Sequence, residues 1–167
     1  ITMAVTYTPI ATSTPQTSVS SILFSSITSA YTDLVFRVYC QDTTAGLNGG
    51  YIGMKINGAV VSNGYYRQLI IATTPEDSSA GNAFASTTSS SAGNGLYFST
   101  SEIYIPSYAQ TNYHVIKSIT STEYNNTTNY PSYGGNAIFT SQSINSIEFT
   151  PSTAFAVGTR IDLFGIL

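Results

Sequence analysis

Charged side chains are scarce in this sequence, at 8% of 167 residues, against about a quarter in an ordinary soluble domain. The five cations, Arg37, Lys55, Arg67, Lys117 and Arg160, stand singly along the chain, and the net charge is −3. Nucleic-acid binding draws on clustered cations that neutralise several phosphates, so no nucleic-acid partner is expected. No apolar run approaches the roughly 20 residues of a membrane helix, so no membrane partner is expected either. Cys40 is the only cysteine and His114 the only histidine. One cysteine leaves no internal disulfide, and one Cys with one His cannot build a zinc site. Nowhere do apolar residues recur at i, i+3, i+4 and i+7 over three capped turns, which excludes long helices. No tandem repeat is visible, which argues against a propeller or β-helix. The start lacks the basic-then-apolar layout of a secretory leader. It opens on Ile1, as a trimmed chain or part of a longer one would.

What is present suits a sheet. Apolar residues make up 42%, much of it β-branched or aromatic, with 13 Tyr and 8 Phe; such side chains fit a pleated, half-buried surface. The length suffices for one domain with a proper core. Residues 1–17, with Pro9 and Pro15 among Thr, Ser and Ala, read as an extended N-terminal arm. Residues 18–167 read as the domain. In Leu34–Cys40, period two puts Leu34, Phe36, Val38 and Cys40 on one face and Val35, Arg37 and Tyr39 on the other. Ser21–Ser25 reads as this strand's partner. In Tyr51–Ile56, alternation turns Ile52, Met54 and Ile56 inward. Asn57-Gly58 between two apolar runs signals a type I′ hairpin. Tyr65–Ala72 fits strand or a short helical turn. Residues 73–95, rich in Ser, Thr, Ala and Gly, read as one long loop, with Phe84 as a pin to the core. Further strands are expected at 96–99, 102–105, 113–123, 137–141, 144–150 and 159–167. About eight short strands with polar turns indicate an antiparallel β-sandwich or barrel.

Four stretches resemble phage virion proteins of the jelly-roll type. Ser26–Arg37 (SITSAYTDLVFR) resembles their opening stretch, and Ile56-Asn57-Gly58 a hairpin that follows it. Ile103–Tyr108 (IYIPSY), with Lys117-Ser118-Ile119 after it, resembles an internal element. Phe155–Ile166 (FAVGTRIDLFGI) resembles their closing strand. The order matches, and the likeness spans residues 21–167. It implies a jelly-roll sandwich in a capsid decoration protein or a head or tail fibre. None of these stretches carries chemistry, and each has a structural use: Asp33 ties off a strand start, Gly158 permits a tight turn, and Gly165 lets another group approach closely.

Candidate chemistry is thin. A Ser-His-Asp device would have to use His114, yet no Gly-x-Ser-x-Gly elbow is present. His114 therefore reads as structural or surface. Cys40 continues an inward face and reads as a small hydrophobe. The eight carboxylates, Asp33, Asp42, Glu76, Asp77, Glu102, Glu123, Glu148 and Asp162, form no evident catalytic pair. Glu76-Asp77 offers too few oxygens for a calcium shell. No catalytic residue, cofactor or metal is expected. Tyrosine is the feature left over. Tyr130 and Tyr133, read as a loop pair, and Tyr7, Pro9 and Ile10 of the arm are the expected interface residues.

These readings point to a non-catalytic virion decoration protein, trimeric, whose arm contacts the major capsid protein. The alternative is a fibre domain that binds a host receptor or glycan. A capsular depolymerase is the third reading.

Overall fold

Fourteen strands and no helix make up the described residues of the computed structural model. They are β1 (Tyr7–Ser13), β2 (Ile22–Phe24), β3 (Asp33–Asp42), β4 (Tyr51–Ile56), β5 (Ala59–Val60), β6 (Gly64–Ile70), β7 (Glu76–Ser79), β8 (Ala83–Thr87), β9 (Ser89–Ser90), β10 (Ser99–Ile105), β11 (His114–Thr122), β12 (Tyr130–Ile138), β13 (Ile147–Pro151) and β14 (Arg160–Ile166). The structure describes residues 6–44, 50–60, 64–70, 76–79, 83–87, 89–90, 97–122, 130–138 and 141–167, with backbone alone over 60–90 and 130–132.

Two sheets hold these strands. The larger runs β1-β14-β3-β10-β11-β12-β6-β7, with β9 beside β3; the smaller runs β2-β13-β4-β5, with β8 also on β4. Every pairing is antiparallel except the two-residue contact of β9 with β3. Eight of the strands alternate between sheets in the jelly-roll manner, β1-β14-β3-β10 in one and β2-β13-β4-β8 in the other. Two insertions widen this frame. β5–β7 enters between β4 and β8, β11–β12 enters between β10 and β13, and the two meet where β12 pairs with β6. The expected β-sandwich is thus present, with one sheet much broader than the other.

Alternation builds the core. β11 buries every second residue from His114 to Thr122, and β3 buries Leu34, Phe36, Val38 and Cys40 as period two requires. Phe36 of the large sheet meets Phe24 and Phe149 of the small one edge to face, with centroids 5.4 and 5.0 Å away. That cluster joins the sheets, and burying each phenylalanine stabilises by roughly 1.5–3 kcal/mol. Toward the far end of β3 the interior turns polar: Ser99, Ser101, Thr120 and Thr122 are buried. There Ser99 Oγ lies 3.2 Å from Cys40 Sγ and donates to the Cys40 carbonyl at 3.1 Å.

Several expectations shift. The Tyr7–Ser13 part of the arm is extended, and it is docked along β14 as the edge strand of the large sheet. Pro9 sits beside a bulge between Pro9 and Ala11, where an edge strand tolerates a missing donor. Ser21–Ser25 does not pair with β3; β2 lies in the other sheet, paired with β13. Residues 65–70 are strand rather than helical turn. The long loop carries β7, β8 and β9. Its abundant Ser and Thr, read as loop composition, fit short strands as well; the Phe84 side chain lies outside the described residues. Tyr130 and Tyr133 lie in strand β12, not in a loop. Pro131 and Gly134-Gly135 suggest turns, but partners on both sides, β11 and β6, hold the segment extended. The Asn57-Gly58 hairpin forms as expected, with φ of 51° and 77°.

Candidate functional site

The four resembling stretches prove to be structural fasteners. Asp33 accepts from Tyr104 Oη at 2.6 Å and from the Ser107 amide at 2.9 Å. This bond, with burial behind it, pushes the Tyr104 phenol up to about 12. Tyr108, fully buried, donates to the Thr28 carbonyl. Asn57 donates to the Ser143 carbonyl at 2.8 Å and accepts from the Asn145 and Ser146 amides. Gly165 leaves room for the Tyr31 ring, which a Cβ would overlap. Gly158 turns the chain at φ 92°. Opening, hairpin, internal element and closing strand thus hold one another or the neighbouring loops.

The groups able to do chemistry are engaged elsewhere. His114 is buried, with Nε2 2.7 Å from the Gln142 carbonyl and no partner for Nδ1 among the described residues. Burial pushes the Cys40 thiol up to about 12, the Ser99 bond opposing it only in part, so it is not a thiolate nucleophile. Asp42 is buried and accepts from the Thr44 hydroxyl and amide and from the Gly50 amide. Glu148 meets Lys55 at 3.0 Å. Hydrogen bonds from Ser21 and Lys55 hold its carboxyl below the usual range. Glu123 and the side chains of Glu76 and Asp77 lie outside the described residues. Among the described residues no three His, Cys, Asp or Glu gather as a metal site would require.

What remains is the outer face of the large sheet. Strand order there sets Asp162, Arg37, Glu102, Ile119 and Tyr133 side by side on five successive strands. The next row holds Arg160, Tyr39, Thr100 and Ser121. A shallow groove of about 660 Å³ runs over these residues except Arg160, within the range of small-ligand sites. Arg37 stands near one end of it. Its guanidinium lies 5.2 Å from the Tyr7 ring and 5.3 Å from the Phe164 ring, and its Nε lies 3.5 Å from Glu102. Cation–π contact and an exposed ion pair contribute little stability, but together they orient the planar group. Tyr39 stacks on Phe98 at 4.5 Å, with their planes 11° apart, and keeps 45% of its surface exposed. Tyr133 is equally exposed and Ile119 nearly so. Asp162 accepts from Thr12 at 2.6 Å and meets Arg160 at 2.9 Å. Glu102 and Asp162 both reach the groove, with Arg37 between them in the row.

Of the expected interface residues, Tyr7 and Tyr133 stand on this face, Tyr7 against Arg37 and Tyr133 at the opposite end of the row. Pro9 lies exposed on the β1 edge. Ile10 instead turns against the core and lines a second cleft of about 350 Å³ between β1 and β2, with Leu23, Phe24, Ile27 and Leu163. The side chain of Tyr130 lies outside the described residues. Arg37, Tyr39, Glu102, Ile119 and Phe164 join this face without being among the expected interface residues. Their outward parity was legible, and large apolar groups on an outward face were the available signal.

Comparison of the chain with protein-family models, with curated proteins and with solved structures gives no match.

Proposed function

We propose that the chain is a non-catalytic structural protein of a bacteriophage virion, a trimeric decoration protein that stabilises the capsid shell. The observation that carries this reading is that the opening, internal and closing stretches fasten one another while the Asn57 hairpin fastens the 143–146 loop, so the residues that carry the resemblance are the ones that hold a jelly-roll frame together. Its support is likeness of sequence together with fold, and fold alone would not specify function.

The surface best suited to neighbouring copies and to the major capsid protein is the side where both sheets end. β1 closes the large sheet and β2 the small one, so two backbone edges flank the apolar cleft of Ile10 and Leu23. Leu23 is 60% exposed. Among the described residues no strand pairs on the outer side of β1 or β2, and strand edges beside exposed apolar side chains are ready for pairing. Binding only to the assembled shell raises that shell's stability by mass action.

Two measurements test the proposal. Copy number in purified virions is expected in the hundreds, and a few copies per particle would contradict a decoration role. Sedimentation equilibrium of Leu23→Asp is expected to show a smaller species than the parent chain; an unchanged oligomer would remove the β1/β2 side from the proposal.

A further inference from the structure

We infer that the groove on the outer face of the large sheet is a binding site for an extended, neutral oligosaccharide. This stands apart from the decoration role, because the groove and the β1/β2 cleft have no lining residue in common, although Tyr7 and Thr12 of β1 touch Arg37 and Asp162 from the side.

Three observations lead there. The first is the pairing of the charges. Arg37 is matched by Glu102, and Arg160 by Asp162. A phosphate or acidic ligand would meet no uncompensated cation among these four groups, and a cationic one no uncompensated carboxylate. A ligand rich in hydroxyls needs neither, since it donates to carboxylates and accepts from guanidinium N–H groups at once.

The second is the alternation of platforms and polar groups. Tyr39 and Tyr133 present half-exposed rings, and Ile119 lies between Glu102 and Tyr133 in the row. The aliphatic face of a pyranose packs on such surfaces while its edge hydroxyls reach neighbouring polar groups. Tyr39 is held by its stack on Phe98 and Arg37 by two rings, so these groups need little ordering on binding.

The third is shape. From Arg37 to Tyr133 is three strand spacings, about 14 Å at ~4.8 Å each. The groove is shallow, which suits several units of an extended chain rather than one enclosed ring.

The test is an array of neutral and acidic oligosaccharides of one to six units, probed with the full chain, followed by titration of the tightest neutral binder. Binding is expected to favour neutral chains of three or more units. Tyr133→Ala and Tyr39→Ala should each weaken it about tenfold, while Leu23→Asp leaves it unchanged. Amide shifts at Thr100, Glu102 and Ser121 in the unsubstituted protein supply a readout that does not rely on a variant. No neutral binder, binding confined to acidic sugars, or affinities indifferent to both tyrosine substitutions would overturn the assignment. Loss of the decoration role in virions would leave it standing.

Discussion

Inside β3, Leu34, Phe36, Val38 and Cys40 are almost wholly buried; outside, Val35 is covered too, while Arg37 and Tyr39 are about half open to solvent. The same strand supplies both sets, residue by alternate residue. The inner set is held by packing across two sheets, and there a lost methylene is felt. The outer set is held by pairwise orientation: a guanidinium between rings, a tyrosine on a phenylalanine. Those contacts position groups without contributing much to folding. Stability and recognition are therefore separable in this sheet, and substitutions can show it.

The largest effect is expected at Phe149→Ala. Removing one ring of the inter-sheet cluster should cost about 3–5 kcal/mol, read from urea unfolding at constant m. Ile119→Ala on the outer face should stay within about 0.5 kcal/mol. Comparable losses at both positions would erase the distinction between the faces. Next comes Gly165→Ala. The added Cβ meets the Tyr31 ring, and such overpacking should cost about 1–3 kcal/mol. A neutral result would mean that the opening and closing stretches are not locked together there.

The smallest is electrostatic. The Glu148 carboxyl is held below its ordinary value by Ser21 and Lys55. Its contribution is fully present above the unfolded value, near 4.3, and is lost as pH falls through the lower native value. Glu148→Gln should thus lower stability at neutral pH by up to about 1 kcal/mol. The gap between variant and parent should close in acid, and a gap independent of pH would show that the pair contributes no charge term.

The inner face was largely legible in the sequence, because burial imposes a local period. Leu34–Cys40 and Tyr51–Ile56 carry that period openly, and Asn57-Gly58 carries the turn in its own backbone preference. Composition misled where neighbours decide. Tyr130–Gly135 looks like a loop until β11 and β6 are known to flank it. The Ser- and Thr-rich stretch at 73–95 hides three short strands for the same reason. The groove was illegible for a stronger reason. Asp162, Arg37, Glu102, Ile119 and Tyr133 come from five strands, and only strand order makes them a row. Parity told which way each pointed, and nothing local told which stood beside which.

The two insertions decide how the large sheet can be trimmed. β12 finds its second neighbour only in β6, and β6 joins the sheet only through β12. Neither insertion could be lost by itself without stranding a row of backbone donors and acceptors that its counterpart now satisfies. Removed together, they would leave the eight-strand roll with β9 beside β3, its large sheet ending at β10. Deleting β5–β7 alone would thus turn β12 into a new sheet edge, whereas deleting β11–β12 alone would leave β6 and β7 with no strand to join them to the large sheet.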